Sequence, residues 1–362
     1  MIFLKLLTGL VLFLIERSFE MLYFSTKERQ ILTDRILSLI RGAKNYLKTG
    51  NFFFRDEIIQ EELLNASRRG VAVFVLSNLT GNENRGAVVT NIKVETDPHI
   101  SNLHKLEREG VHVHLCRDLH AKFIVADGDK GLIMSANYTP DSLHGNPENG
   151  VDVLGEDLSL LEDIFDELYL HPDTILFGNE GQYRYADRNE PIPANTFKFS
   201  PSTRLLLTMA SKESSNLREC NYTSIFHKIL EIIEQSHSTL DIVSWSFNEV
   251  EKLPNFIEKL SCAKDRGVRI KLYYGTKGED WQVKRTLKQI QIISEMVGGV
   301  DAVPLLDNHA KCVMSEKEGI MFTTNIDGNR GLLAGFELGY IFSESERKSA
   351  ISYLKVIENY GK

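Results

Sequence analysis

The order of apolar and polar residues along the chain predicts alternating helices and strands, and the same order occurs twice. Apolar positions spaced for one face of a helix fill residues 31–45 and return in residues 224–238. In both places a short run of aromatic and β-branched residues follows, then a second amphipathic helix, then another strand. The pattern predicts an α/β protein in which each of two halves is a mixed β-sheet flanked by helices.

The two halves can be aligned residue by residue. The sequence RRGV at Gly70 aligns with DRGV at Gly267 at an offset of 197 residues. The sequence HAK at His120 aligns with HAK at His309 at an offset of 189 residues, so one loop of the second half is shorter by eight residues. Such an internal duplication predicts two halves that are related by a pseudo-two-fold axis and share a core.

The chain divides into these two halves and two further segments. A stretch between the halves contains Pro, Gly and Asn without sustained periodicity, which is typical of a connection. Residues 1–15 are mostly apolar with one lysine, a run too short to span a bilayer. We expect a cytoplasmic protein, with membrane association through residues 1–15 as the alternative. The chain then consists of an N-terminal apolar extension (1–29), a first half (30–170), a connecting segment (171–203) and a second half (204–362).

The composition limits the classes of function. The 362 residues contain 42 basic and 50 acidic side chains, giving a formal net charge of -8. This charge argues against a protein whose whole surface binds nucleic acid or an anionic membrane, although a local basic groove stays compatible with it. The four cysteines form no CxxC pair, which argues against a disulfide framework or a cysteine zinc site and favours a reducing compartment.

Four histidines within sixteen residues raise the question of a metal site. Two of them, His112 and His114, alternate with Val111 and Val113, as expected for the solvent-facing side of a half-buried strand. We therefore predict that no metal is bound there. The four residues are His99, His104, His112 and His114.

The duplicated HAK sequence carries the main chemical signal. Residues i and i+2 of an extended strand point to the same side, so His120 lies beside Lys122, and His309 lies beside Lys311. An ammonium group attracts and holds a phosphodiester anion, and an imidazole attacks phosphorus or transfers a proton near neutral pH. Two such pairs predict a phosphate-reacting site.

Small polar residues and a glutamate follow each HAK sequence. Two of the polar side chains in each half come directly after a predicted strand, where we expect them to donate hydrogen bonds to phosphate oxygens. The glutamate comes eleven or twelve residues later, and its carboxylate is suited to hold the second nitrogen of an imidazole and fix the tautomer. The residues are Ser135, Asn137 and Glu148 in the first half and Thr323, Asn325 and Glu337 in the second.

With these residues the chain resembles the phospholipase D superfamily, whose signature is HxK, four residues, D, six residues, GSxN. The first half matches through Asp127 as well, with Met134 in place of the glycine. The second half departs more: Glu316 replaces the aspartate, Phe322 the glycine and Thr323 the serine, and one residue fewer intervenes. The resemblance covers roughly residues 30–155 and 222–345.

The resemblance implies one active site at the interface of the halves. Both lysines bind the phosphate, one histidine forms a covalent phosphohistidine, and the other protonates the leaving oxygen and then activates water or an alcohol. We assign His120 as the nucleophile and His309 as the general acid. Asp127 and Glu316 take a structural role, and Ser135 and Thr323 bind substrate. Neither a metal nor another cofactor is implied, and one chain suffices for a complete site.

The superfamily includes enzymes that act on nucleic acids and enzymes that act on phospholipids. The loops expected near the site are polar, which favours nucleic acid over acyl chains, and we expect a nuclease acting on DNA or RNA. A phospholipase D or phosphatidyltransferase of the cardiolipin-synthase type at a membrane surface is the alternative, and a decayed phosphate-binding adaptor is the second. A partner protein for targeting is left open. A basic groove with a stacking platform is predicted from Arg85, Lys93, Lys277, Trp281, Lys284 and Arg285.

Overall fold

The structure is a computed structural model. It describes residues 22–78, 98–179, 182–188, 190–211 and 216–360. The predictions for residues 1–15, and for Arg85 and Lys93 of the basic groove, lie outside the described residues. Within the described ranges, no helix is long and apolar enough to cross a membrane.

The first half forms a large mixed sheet. Its strands are β1 (Leu22–Ser25), β2 (Tyr46–Asn51), β3 (Ala72–Ser77), β4 (His112–Leu115), β5 (Phe123–Ala126), β6 (Lys130–Met134), β7 (Glu148–Val153), β8 (Thr174–Asn179) and β9 (Gln182–Asp187). They lie in the order β1-β7-β6-β5-β2-β3-β4-β8-β9. Strands β2, β3 and β4 are parallel, and β5 pairs with β2 in the antiparallel direction.

The second half repeats this arrangement. Its strands are β10 (Leu205–Ala210), β11 (Tyr222–Thr223), β12 (Thr239–Ser244), β13 (Phe247–Asn248), β14 (Arg269–Gly275), β15 (Asp301–Leu305), β16 (Cys312–Ser315), β17 (Gly319–Phe322), β18 (Ile326–Asp327) and β19 (Gly335–Ile341). The main sheet has the order β11-β10-β19-β17-β16-β12-β14-β15, and β13 pairs with β18 separately. The series β7-β6-β5-β2-β3-β4 thus has its counterpart in β19-β17-β16-β12-β14-β15, which confirms the predicted two-half α/β fold.

Helices cover the outer faces of both sheets and fill the space between them. They are α1 (Ile31–Gly42), α2 (Glu57–Arg68), α3 (Pro98–Arg108), α4 (Pro140–His144), α5 (Gly155–Leu170), α6 (Ser224–Gln235), α7 (Phe256–Asp265), α8 (Asp280–Val297) and α9 (Glu344–Tyr360). The apolar faces of α1, α2 and α3 pack on the first sheet, and those of α6, α7 and α8 pack on the second. Helices α5 and α9 contribute to the core between the sheets.

This central core contains side chains from both halves. Phe123 of β5 meets Phe336 of β19 edge to face, with ring centroids 6.3 Å apart. Phe24 of β1 stacks on Tyr353 of α9 at 4.0 Å, and the Tyr353 hydroxyl donates to the carbonyl of Ser25. Burial of a large apolar side chain contributes about 1.5–3 kcal/mol. The shared layer therefore holds the two halves in a fixed relation, as the duplication predicts.

Three strands lie where the sequence predicts none. The segment 171–203, expected as a connection without regular structure, contains β8 and β9, which extend the first sheet beyond β4. Strand β1 lies within the predicted extension 1–29 and pairs with β7, so that Leu22 lies opposite Val151. All three are defined by pairing at a sheet edge, and a local pattern of side chains does not record the distant partners of β1 and β8.

Candidate active site

The two HAK sequences lie at the contact between the halves, and the backbone of each is hydrogen-bonded to the other half. The backbone N–H groups of His120 and the next residue donate to the carbonyl of Phe336, at 3.1 and 3.0 Å. Those of His309 and its next residue donate to the carbonyl of Pro147, at 2.9 and 3.0 Å. Each of these carbonyls belongs to the residue directly before a predicted site glutamate. The register between the halves is therefore set at the histidines themselves.

Each histidine is hydrogen-bonded to the glutamate of the opposite half. His120 Nδ1 lies 2.7 Å from Glu337 Oε1. His309 Nδ1 lies 2.8 Å from Glu148 Oε1 and 3.0 Å from Glu148 Oε2. The structure thus brings together the two histidines and the two glutamates that the sequence selects. Each glutamate binds the histidine of the other half, not that of its own. With Nδ1 held by a carboxylate, Nε2 is the imidazole nitrogen available for chemistry.

Ser135 and Thr323 are hydrogen-bonded to these glutamates. The Ser135 hydroxyl donates to Glu148 and the Thr323 hydroxyl donates to Glu337. Both side chains are fully buried. A hydroxyl has one proton to donate, and in both residues the carboxylate takes it. The predicted binding of phosphate by Ser135 and Thr323 stays a prediction, since in this structure their donors orient the glutamates.

The two lysines are fully buried beside the histidines. Lys311 Nζ donates to the carbonyl of His309 at 2.5 Å, and Lys122 Nζ donates to the carbonyl of His120. Burial lowers the pKa of Lys122 to about 7 and that of Lys311 to about 8, although the nearby glutamates act in the opposite direction. Both lysines therefore bring positive charge close to the two histidine–glutamate pairs, where it attracts an anion.

Burial and the two lysines also determine the charge of the imidazoles. Burial lowers the pKa of His120 to about 4 and lowers that of His309, against the effect of the paired glutamates. Burial alone acts to raise the pKa of Glu148 and Glu337, but the facing histidines and lysines hold both below their usual value. At neutral pH the carboxylates are ionised and the imidazoles are neutral. Nδ1 then donates its proton to the glutamate, and Nε2 keeps a free lone pair.

The two site asparagines keep their side-chain amides uncommitted. The Oδ1 atoms of Asn137 and Asn325 are buried, and neither has a hydrogen-bond partner in the described part of the chain. Buried polar groups in folded proteins are nearly always paired, so two unpaired amides at equivalent positions point to a ligand that both would contact. Because an amide Oδ1 only accepts, the predicted binding of phosphate oxygens would use the Nδ2 groups of these residues.

Two aromatic rings that the sequence analysis did not select flank the histidines. Phe52 meets His120 edge to face with ring centroids 5.0 Å apart, and Trp245 lies 5.8 Å from His309. Both rings come directly after the equivalent strands β2 and β12. The alignment of NFFF with SWSF contains the signal, because it places an aromatic residue at the same position in each half. A Cβ on Gly275 would lie 2.5 Å from the Trp245 ring, so glycine is needed where that ring crosses β14.

Asp127 and Glu316 occupy equivalent structural positions. Asp127 accepts backbone N–H groups from residues 44, 45 and 46, at 2.7–2.9 Å. Glu316 accepts those of residues 237, 238 and 239, at 2.9–3.3 Å. The longer side chain of Glu316 therefore reaches the same turn before the central strand. These hydrogen bonds hold the pKa of both carboxyls below the usual value, although burial acts against them.

Removal of the Asp127 carboxylate is expected to lower stability by about 1–3 kcal/mol, because three backbone N–H groups lose their acceptor. The measurement is the urea midpoint of Asp127→Ala compared with Asp129→Ala, whose carboxylate is exposed and lies 4.0 Å from Lys130. Since the pKa of Asp127 is lowered in the folded state, its contribution is lost as the pH falls through that pKa, and the two variants should converge in acid. Equal midpoints at neutral pH would show that Asp127 is not structural.

The four histidines of the candidate metal cluster lie apart. His99 Nδ1 accepts the backbone N–H of Phe54 at 3.0 Å, and His114 stacks on Tyr169 with centroids 3.8 Å apart. His112 stacks on Phe74. Among the described residues, no three His, Cys, Asp or Glu side chains converge as a metal site would require.

The affinity of the site for an oxyanion is expected to fall as the pH rises from 6 to 9. A lysine with a lowered pKa is charged only below that pKa, so Lys122 and Lys311 lose their protons in turn near pH 7 and 8. We expect the dissociation constant of tungstate to rise by about tenfold or more, measured by calorimetry at constant ionic strength. Lys311→Met should weaken binding and remove the step near pH 8. An affinity independent of pH would contradict the assignment of charge to these lysines.

Comparisons with known proteins agree with this duplicated arrangement. A protein-family profile described as "Cardiolipin synthase, PLD-like domain" matches residues 36–169. No curated protein sequence matches the chain at a significant level. Among solved structures, phosphatidylserine synthase from Haemophilus influenzae Rd KW20 is similar with a TM-score of 0.59 and 13% identity, over 93% of this chain and 85% of that one.

Two further solved structures are similar. Polyphosphate kinase from Porphyromonas gingivalis has a TM-score of 0.56 and 11% identity, over 92% of this chain and 49% of that one, so this chain spans about half of the kinase. The phospholipase D family member Nuc from Salmonella typhimurium has a TM-score of 0.35 and 19% identity, over 46% of this chain and 96% of that one.

Fold and duplication together define an α/β protein of two similar halves with the candidate site between them. Over residues 36–169 the chain matches a PLD-like domain, which agrees with the resemblance of its sequence to the phospholipase D superfamily.

Proposed function

We propose that the chain cleaves or transfers a phosphodiester through a covalent phosphohistidine. The observation that carries the proposal is the pair of histidine–glutamate hydrogen bonds exchanged between the halves, His120 with Glu337 and His309 with Glu148, around two buried lysines. The arrangement offers two imidazoles in one space, each with a fixed tautomer, and positive charge to stabilise the negative charge that develops on phosphorus oxygens.

The reaction proceeds in two displacements. His120 Nε2 attacks phosphorus and forms an N–P bond, while the bond to the leaving oxygen breaks and His309, protonated once the anionic phosphate is bound, donates its proton to that oxygen. Neutral His309 then takes a proton from water or an alcohol, whose oxygen attacks phosphorus and breaks the N–P bond. Lys122 and Lys311 hold the phosphoryl oxygens throughout, and the carboxylates stabilise each imidazolium as it forms.

The surroundings of the two histidines support their different roles. Lys122 Nζ lies 3.1 Å from His120 Nδ1, and this charge adds to burial in keeping His120 neutral and nucleophilic. The side chain of His120 is 32% exposed and that of His309 is 16% exposed, so His120 is the more accessible to substrate. His309 has both Glu148 oxygens within 3.0 Å, which favours its protonated form when substrate brings a negative charge.

Nucleic acid is the substrate that we propose, with the chain acting as a nuclease. Phe52 and Trp245 present aromatic surface beside the two histidines. Trp281, which is 53% exposed, follows four residues after Lys277, whose carbonyl accepts the indole N–H of Trp245. Aromatic side chains next to a phosphate site are typical of proteins that stack nucleobases. Both halves keep a complete set of His, Lys, Asn and Glu, which favours catalysis over a decayed adaptor.

A phospholipid substrate is the second candidate. The observation in its favour is that the matching family profile carries the description of a cardiolipin synthase and that a similar structure is a phosphatidylserine synthase. Phosphatidyl transfer would use the same two displacements, with an alcohol in place of water as the second attacking group.

Cleavage of an end-labelled single-stranded oligonucleotide in excess EDTA tests the proposal, with His120→Ala as the control. Vesicles of anionic phospholipid, assayed in parallel for release or exchange of the head group, test the second candidate. Oligonucleotide cleavage that survives EDTA and disappears in the variant supports a nuclease that needs no metal. Lipid turnover without oligonucleotide cleavage would replace nucleic acid with phospholipid, and phosphate binding without either reaction would leave an adaptor.

A further inference from the structure

The helix α8 begins next to the catalytic histidine of the second half. Trp245, whose ring contacts His309, donates its indole N–H to the carbonyl of Lys277 at 3.1 Å. Its own carbonyl accepts the backbone N–H of Gly275 at 3.1 Å. Residues 275–279 therefore run from the wall of the site directly to the start of α8. The start of α8 therefore lies close to Trp245, the aromatic side chain beside His309.

The exposed face of α8 combines an aromatic ring with positive charge. Trp281, Lys284, Arg285 and Lys288 follow the spacing i, i+3, i+4 and i+7, which places them along one side of a helix. All four are exposed. We call these four residues the α8 basic face. The Arg285 guanidinium lies 5.0 Å from the centre of the Trp281 ring, a cation–π contact that keeps the ring and the charge side by side.

The charges of the α8 basic face are not neutralised within the protein. Lys284, Arg285 and Lys288 make no ion pair with any carboxylate in the described part of the chain, in contrast to Arg41, which pairs with Glu62. At a formal net charge of -8 the chain has carboxylates in excess. A basic face that stays unpaired on an acidic protein is suited to an external polyanion.

The distribution of apolar residues on α8 distinguishes a nucleic acid from a membrane. Leu287 and Met296 are the other exposed apolar side chains of α8, at 43% and 56%. At 100° per residue they lie at the margins of the exposed arc, with the cationic residues at its centre. A helix that lies in a membrane interface has the reverse arrangement, with its apolar residues central and its charges at the margins.

We infer that the α8 basic face binds the single strand of nucleic acid that flanks the reacting phosphodiester. The distance from Trp281 to Lys288 is about 10 Å along the helix axis, at 1.5 Å per residue. This length covers about two to three phosphates at the spacing of one strand. Trp281 stacks a base, and Lys284, Arg285 and Lys288 contact successive phosphates. The inference rests on the proposed function and specifies where its substrate binds outside the catalytic site.

Binding of a fluorescein-labelled oligothymidylate of about twenty nucleotides tests the inference, because this length spans several phosphate contacts. All proteins carry His120→Ala so that the strand is not cut. The test variant adds Lys284→Gln, Arg285→Gln and Lys288→Gln, and the matched control adds Lys105→Gln, Lys130→Gln and Lys317→Gln, which remove the same charge elsewhere. Circular dichroism checks that each variant is folded.

Anisotropy titrations over a range of salt concentrations give the expected result. The test variant should bind at least about tenfold more weakly at low salt, and the slope of log affinity against log salt should fall by about 2, at about 0.7 per lost phosphate contact. Trp281→Ala should bind about fivefold more weakly through loss of stacking. The control should lie within about twofold of the parent, since non-specific charge loss acts on both variants alike.

Two outcomes would overturn the inference. In the first, the test and control variants have equal affinity and slope. In the second, the test variant loses binding to anionic phospholipid vesicles but keeps its binding to the oligonucleotide. The proposed function is tested separately by turnover of bis-p-nitrophenyl phosphate by the wild-type chain and its loss in His120→Ala. Turnover of that small diester with no effect of the α8 substitutions on strand binding would reject the inference and keep the function. Strand binding through α8 without turnover would reject the function and keep the inference.

Discussion

His120→Ala is expected to remove both turnover and the first chemical step, lowering kcat by about 10⁴-fold or more. Alanine has no nucleophile to form the N–P bond, and no other described imidazole is paired with Glu337. With bis-p-nitrophenyl phosphate, whose leaving group needs no proton, the wild-type chain should release a burst of about one equivalent of nitrophenolate before steady turnover. His120→Ala should show no burst.

The matched variant is His309→Ala, which distinguishes the two roles. It keeps the nucleophile but lacks the group that activates water, so it should release one equivalent of nitrophenolate and then stop. Stopped-flow absorbance measures both variants under the same conditions. A burst in His120→Ala and none in His309→Ala would reverse the assignment, and a full rate in either variant would remove that histidine from the mechanism.

Replacement of the glutamates should show the exchange between the halves directly. Glu337→Gln is expected to abolish the burst, because a glutamine amide can donate to His120 Nδ1 and so force the proton onto Nε2, where attack must occur. Glu148→Gln acts on His309 and should leave the burst while slowing later turnover. By analogy with aspartate to asparagine replacement in a serine protease triad, each change should cost about 10³–10⁴-fold in kcat.

The pattern of bursts is more informative here than the size of the loss. If each glutamate served the histidine of its own half, Glu148→Gln would lose the burst and Glu337→Gln would keep it. Exposed Glu344, which forms an ion pair with Lys348 on α9, provides a control as Glu344→Gln with unchanged kinetics. Thermal unfolding of all three variants shows whether a lost burst reflects chemistry or loss of the fold, since both site glutamates are buried.

The sequence predicts the main chemical residues because they occur twice in one register. Two HAK sequences with a downstream asparagine and glutamate can be aligned without any structure, and the fold places the histidines and glutamates together at the contact of the halves. The alignment also accounts for Glu316, which stands where the superfamily signature has aspartate. Its carboxylate accepts backbone N–H groups at positions equivalent to those that bind Asp127. A substitution that lengthens the side chain is tolerated where only an acceptor is needed.

The exchange of the glutamates could not be predicted, because it depends on how the halves are packed. Glu148 follows Asn137 in the sequence, but β7 delivers it to His309 of the second half. The hydrogen bond of Ser135 depends on the same contact, because its hydroxyl donates to Glu148, which in turn is paired with His309. Long-range pairing of this kind leaves no local pattern of residues.

The two aromatic rings beside the histidines also have a signal in the sequence. Phe52 and Trp245 lie at the same position of the duplicated unit, and comparison of the halves selects them as readily as the histidines. Their contact with the imidazoles is set by the ends of β2 and β12, which bring each ring to the edge where the HAK sequences lie. Aromatic residues at strand ends are common in cores, so the pattern alone does not distinguish a core ring from a site ring.

The central claim is that phosphorus becomes bonded to His120, and the most direct measurement is the location of that bond. His309→Ala is mixed with bis-p-nitrophenyl phosphate, quenched in alkali to preserve a phosphoramidate, digested and analysed by mass spectrometry. We predict a phosphoryl adduct on the peptide that contains His120, lost on treatment with mild acid and absent from the double variant His120→Ala, His309→Ala. An adduct on another residue, or nitrophenolate release without any adduct on the protein, would contradict the account.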